Sequence, residues 1–146
     1  MTAVHYENFV NLKYKPKEDD LICQFRVTPA KGYSFKDVCS IVAGESSVGT
    51  WTEVSTMNPQ IGKLLAPKVY FLDEKNKRCR IAYPIELFEL GNLPEILSSV
   101  GGNIYGMNSA EELRWEDVRI PEKMLNSFKG PQFGIEGIRK YLGVHN

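Results

Sequence analysis

Histidine is nearly missing from this sequence, neither sign of charge is in excess, and no apolar run approaches the length of a membrane span. Each shortage removes a class of protein. His5 and His145 lie near opposite ends of the chain, and neither has a partner near it in sequence for a metal or catalytic site. Lysine plus arginine and aspartate plus glutamate each number 18, so no net field draws in nucleic acid or an anionic bilayer. The cysteines Cys23, Cys39 and Cys79 are odd in number, widely spaced and never within a C-x-x-C, which excludes a disulfide framework or a zinc site. Their apolar neighbours predict reduced core thiols, the habit of a cytosolic protein. The opening "MTAVHYENFVNLKYKP" holds no apolar run of signal-peptide length, and nothing later suits a bilayer, so the expected location is cytoplasmic. Phosphate-binding signatures of the G-x-x-x-x-G-K-[ST] and G-x-G-x-x-G types are missing, as is any nucleophile beside its base or any cluster of metal-ligating carboxylates.

What is present reads as one soluble domain spanning 1–146. The composition is 42% hydrophobic and 25% charged, and a chain of this length buries about 68–70% of its unfolded surface without a staple. "LICQFRVTP" (21–29) alternates, with Leu21, Cys23, Phe25 and Val27 on one side and Gln24, Arg26 and Thr28 on the other, which predicts a half-buried strand. Ser34 and Asp37 form an S-x-x-D helix start, followed by Phe35, Val38, Cys39 and Val42 as one helical stripe that ends at or near Gly44. "KVYFLDEKNKRCRIAYPI" (68–85) predicts a hairpin around its charged turn. Asn92 to Glu95 opens a second helix carrying Leu93, Ile96, Leu97 and Val100, and "ELRWEDVRI" (112–120) is a further strand. The order β-α-β-β-α-β predicts an α+β, ferredoxin-like sheet with helices on one face. Its other face meets solvent or a partner.

"GESSVGTWT" (44–52) and "GGNIYGM" (101–107) follow the two predicted helices, and each sets polar residues among glycines and then an aromatic. If both emerge at the same end of the sheet, Glu45, Thr50 and Asn103 line half of a pocket. The alternative is plain: the glycines cap helices, Trp51 and Tyr105 pack, and the polar groups are solvated. Helix C-terminal ends carry negative partial charge, so an anion there needs cations or helix N-termini from elsewhere. Half of the chemistry is missing from these segments.

"FRVTPAKGYSF" (25–35), "ESSVGTWT" (45–52), "IAYPIELFE" (81–89), "GNIYGM" (102–107) and "EDVRIPEKMLNSFKGPQFGIEGIRKYL" (116–142) together resemble the N-terminal domain of the large subunit of ribulose-1,5-bisphosphate carboxylase/oxygenase, Rubisco, in its archaeal form. The resemblance implies a half-site domain of a lyase that fixes CO2 onto ribulose 1,5-bisphosphate and yields 3-phosphoglycerate. In that family the C-terminal (β/α)8 barrel of a neighbouring subunit supplies a carbamylated lysine, the Mg2+ ligands and most phosphate donors. The resemblance therefore implies a barrel partner holding Mg2+, an oligomer, and a chain that is inactive alone because it lacks the barrel. It further implies that Glu45 pairs with a lysine of the mobile barrel loop, that Thr50 and the Trp51 amide contact a substrate phosphate, and that Asn103 bonds a substrate hydroxyl. A domain shaped against a barrel is also expected to expose apolar surface. Gly44 and Val48 depart from the family's usual alanine and threonine. Two other readings stand beside this one: a Rubisco-like enolase or isomerase, and a non-catalytic binding or assembly module.

Overall fold

The computed structural model describes residues 9–45, 50–89 and 109–125, with only the backbone path described at 45, 50–52, 88–89 and 124–125. β1 (Leu21–Pro29) is followed by α1 (Phe35–Glu45), α2 (Thr50–Met57) and α3 (Pro59–Leu65). β2 (Lys68–Asp73) and β3 (Arg78–Tyr83) form the expected hairpin, and α4 (Ile85–Glu89), β4 (Ala110–Arg119) and α5 (Glu122–Leu125) complete the described elements. The second long helix predicted at 92–100 lies outside the described residues.

The four strands form one antiparallel sheet in the order β2-β3-β1-β4. β1 and β2 run parallel with β3 between them, and β3 and β4 run parallel with β1 between them. That order is the one a split β-α-β topology requires. The α+β, ferredoxin-like reading of the sequence is therefore the observed fold.

Alternation in β1 decides which face is covered. Leu21, Cys23, Phe25 and Val27 are fully buried, and they join Val38, Cys39 and Val42 of α1, Val69 of β2, Cys79 and Ile81 of β3, and Trp115 and Val118 of β4 in one core. α1 packs across β1 and β2. Its start follows the S-x-x-D pattern: the Asp37 amide donates to Ser34 Oγ at 3.0 Å, which satisfies one of the orphan amides of the first turn. The three thiols are buried and unpaired by disulfide, as expected. Burial pushes the Cys23 thiol well up, and contact with Cys39 together with burial does the same for Cys79. They are packing atoms rather than reactive ones.

The hairpin turn owes its shape to Asp73, whose carboxylate accepts from the Asn76 amide at 3.2 Å and from the Asn76 side chain at 2.7 Å. Lys77 then closes the turn at φ 59°. Ahead of β1, Phe9–Asn11 lie along the edge of β2: Val10 pairs in parallel with Val69, and the Asn11 amide donates to the Val69 carbonyl at 3.0 Å.

Candidate functional site

The segment 44–52 is not a single loop. α1 continues through Gly44 to Glu45, and α2 begins at Thr50, so the polar stretch is a connection of 46–49 between two helix ends. Reading Thr50–Thr52 as loop missed the helix. The signal was available: Thr50 and Glu53 stand in a capping-box spacing, and Asn58-Pro59 is a strong start for the next helix. In α3 Asn58 is indeed the cap, its Oδ1 accepting from the Ile61 amide at 3.3 Å.

This correction changes the electrostatics. Glu45 closes α1, whose last turn has no basic residue. Thr50 and Trp51, by contrast, open an eight-residue helix, and the amides of a first helical turn have no partner within the helix. A helix N-terminus with unpaired amides favours anions. The missing positive end lies in the same stretch of chain, one turn beyond the point where the sequence reading placed a negative one.

The geometry also places the end of α1. α1 runs antiparallel to β1, and its end lies by Phe9 at the edge where β2 begins: a Cβ on Gly44 would meet the Phe9 ring at 3.4 Å, an ordinary contact. The family's alanine would therefore fit. Ser109, which leads into β4, sits at the opposite end of the sheet, where its carbonyl accepts from the Ala30 amide at 3.0 Å and Pro29 pairs with Ala110. The exit of the second predicted helix lies outside the described residues. Asn103 lies outside the described residues, six positions before Ser109.

α2 and α3 pack so closely that a Cβ on Gly62 would stand 2.5 Å from Ser55 Cα. Together they carry Met57, Ile61 and Leu64, exposed by 87%, 43% and 76%. Ile61 and Leu64, at i and i+3, share one side of α3, and Met57 is the last residue of α2. The helix pair thus carries exposed apolar surface. The open face of the sheet carries charge instead: Glu116 contacts Arg26 Nε at 2.6 Å and Arg78 Nε at 2.8 Å. Among the described residues, no group of three or more histidine, cysteine, aspartate or glutamate side chains could hold a metal ion, so no step through Mg2+ is derived for this chain. No described helix is long and apolar enough to cross a membrane.

An antiparallel sheet of order β2-β3-β1-β4, backed by α1 and extended by an α2–α3 pair, defines a class of α+β domain rather than an activity. Sequence comparison supplies the family: the profile described as ribulose bisphosphate carboxylase large chain, N-terminal domain, matches residues 8–124, and the chain belongs to that family. Relatives named ribulose bisphosphate carboxylase include that of Methanosarcina mazei, 43% identical over 139 residues, covering 95% of this chain and 32% of the relative. The Thermococcus kodakarensis protein is 44% identical over 144 residues, covering 95% and 32%. Among solved structures, the octameric Rubisco of Pyrococcus horikoshii superposes with a TM-score of 0.70 at 39% identity, covering 95% of this chain and 33% of that one. The dimeric archaeal Rubisco of Hyperthermus butylicus gives 0.69 at 46% identity, covering 92% and 32%. The chain spans about a third of the length of the relatives it matches.

Proposed function

We propose that this domain is one half of a ribulose-bisphosphate carboxylase site, completed by the barrel domain of a partner polypeptide in an oligomer. The observation that carries the reading is the family match over 8–124, with Glu45 ending α1 and Thr50 opening α2 on either side of 46–49. On this reading Glu45 pairs with a lysine brought in by the barrel. Thr50 and the Trp51 amide hold a phosphate of ribulose 1,5-bisphosphate at the anion-favouring start of α2. Asn103 bonds a substrate hydroxyl. Mg2+ and the carbamylated lysine belong to the barrel, which supplies the electrophilic chemistry and the cytoplasmic lyase activity. Residues 1–146 therefore act as an N-terminal domain, and turnover needs the barrel.

The test is incorporation of labelled CO2 into 3-phosphoglycerate by the purified chain, with and without a barrel polypeptide from a close relative. Activity should appear only in the mixture. Turnover by this chain alone, with no barrel detectable by mass spectrometry, overturns the proposal. In the reconstituted enzyme Glu45→Gln should lower kcat about ten- to a hundredfold, the worth of one charge-assisted hydrogen bond made in the closed state. KM should move less, because the phosphate contacts remain. Wild-type kcat in that variant removes Glu45 from the site.

A further inference from the structure

The face of the sheet turned away from α1 holds a cleft of about 150 Å³, lined by Ile22, Gln24, Tyr70, Arg80, Asp117 and Arg119. These six residues come from all four strands. Two of them, Tyr70 and Asp117, are there because the edge strands are irregular. On β2 the register passes from Val69↔Ile81 directly to Phe71↔Arg80, so Tyr70 is an extra residue without a cross-strand partner. On β4 it passes from Gln24↔Asp117 to Phe25↔Trp115, so Glu116 is the extra residue. Each bulge sets two neighbouring side chains on the open face where a regular strand would set one. Tyr70 lines the cleft from β2, and Asp117 from β4.

The bulges also position the cations. Phe71 lies under the Arg80 guanidinium, 4.6 Å from ring centroid to Cζ. Arg80 Nε donates to Gln24 Oε1 at 2.7 Å, and Gln24 Nε2 donates on to Glu116 at 3.2 Å. Arg80 is thus clamped from its Nε edge and its flat side, while the cleft lies along it. Arg119 is tied through its Nη2 to the carbonyls of Lys17 and Asp20, at 2.9 and 3.2 Å. Two anchored guanidiniums border one small cavity, which is the arrangement that recognises an oxyanion. Tyr70 adds a phenol: burial pushes it up, offset in part by the charges of Arg80 and Arg119, so it is a protonated donor at neutral pH. Asp117 sets the limit. One carboxylate against two guanidiniums leaves a single positive charge, which suits one anionic group and repels a second. The volume is below that of nucleotide- or drug-sized pockets.

We propose that this cleft binds a small molecule through a single phosphate or carboxylate group, held by Arg80, Arg119 and the Tyr70 hydroxyl. The proposal does not rest on the carboxylase reading. Its test is a titration of the isotopically labelled chain, following arginine Nε–H and strand amide resonances by NMR. Inorganic phosphate and acetate are the probes, and sodium chloride is the ionic-strength control. Saturable shifts confined to the cleft are expected, with Kd below about 1 mM for the preferred probe. Preference for phosphate assigns a tetrahedral ligand, and preference for acetate a carboxylate. Arg80→Gln and Arg119→Gln should each weaken binding at least about tenfold. Arg114→Gln, whose Nε pairs with Glu112 at 2.6 Å outside the cleft, should leave it unchanged. Should an arginine variant lose its folded spectrum, Tyr70→Phe decides, with an expected weakening of about threefold or more. Shifts that grow linearly and match those in chloride overturn the proposal, as does unchanged affinity in Tyr70→Phe or equal weakening in Arg114→Gln.

Discussion

Phe25 and Arg26 are neighbours in one strand and live in different solvents. Phe25 is fully buried, its ring centroid 4.2 Å from that of Trp115. The Arg26 side chain keeps 37% of its surface exposed and pairs with Glu116 across the open face. The covered face is regular, apolar and closed by α1. The open face is bulged at three points and laced with charge. A sheet uncovered on one side does not have to be apolar there, and this one spends its open side on arginines held in fixed positions.

The sharpest contrast is a pair of truncations in adjacent residues. Phe25→Ala empties a packed site and should cost about 3–5 kcal/mol, whereas Arg26→Ala should cost less than about 1 kcal/mol. Urea denaturation of both variants reads the difference, and equal losses would erase the distinction between the faces. Intolerance of volume should extend to the α2–α3 contact. Gly62→Ala forces a methyl against Ser55 backbone and should cost about 1–3 kcal/mol, seen as a lower Tm.

On the open face the largest single effect belongs to Glu116, which serves two arginines and Gln24. Its side chain is 18% exposed and the arginines about twice that, so Glu116→Gln should cost only about 1 kcal/mol after screening. The loss should shrink at 1 M salt, where the Debye length falls to about 3 Å. The smallest effect is a pH limb. Burial and then the 2.6 Å bond to Asp20 raise the Tyr14 phenol. A group raised on folding stabilises fully below its unfolded value, about pH 10, and loses that contribution as pH climbs toward the folded value. Denaturation midpoints should therefore fall above pH 10, and Tyr14→Phe should flatten that decline.

Where local pattern and tertiary contact agree, the sequence was readable. Period-two alternation gave β1, the Ser34 cap and apolar stripe gave α1, and the Asp73-to-Asn76 turn gave the hairpin. The strand at 112–120 was found but shifted, because Ala110 joins it only through pairing with Pro29 of β1, past the unpaired Glu111. α2 and α3 went unseen, since their apolar residues Met57, Ile61 and Leu64 are exposed and their caps sit inside a polar stretch. The bulges at Tyr70 and Glu116 have no sequence signature at all; they exist only relative to β3 and β1. At the candidate site, Glu45 and Thr50 were legible as residues, but the helix start that gives Thr50 its electrostatic setting was not. Asn103 lies outside the described residues, so its place relative to Glu45 stays an expectation of the sequence.

The short arm at Phe9–Asn11 also covers one margin of the sheet. An edge strand with open amides and carbonyls is a template for any passing extended chain. Val10, bridged in parallel to Val69, occupies that template on β2 with the protein's own backbone. The opposite edge, β4, is guarded differently, by the acidic side chains of Glu111, Glu112 and Glu116 and by the bulge that bends it. One margin of the sheet is thus blocked by occupancy and the other by charge and shape. Removing the arm exposes the β2 margin, and a domain so trimmed would recruit foreign strands and aggregate before its core had loosened.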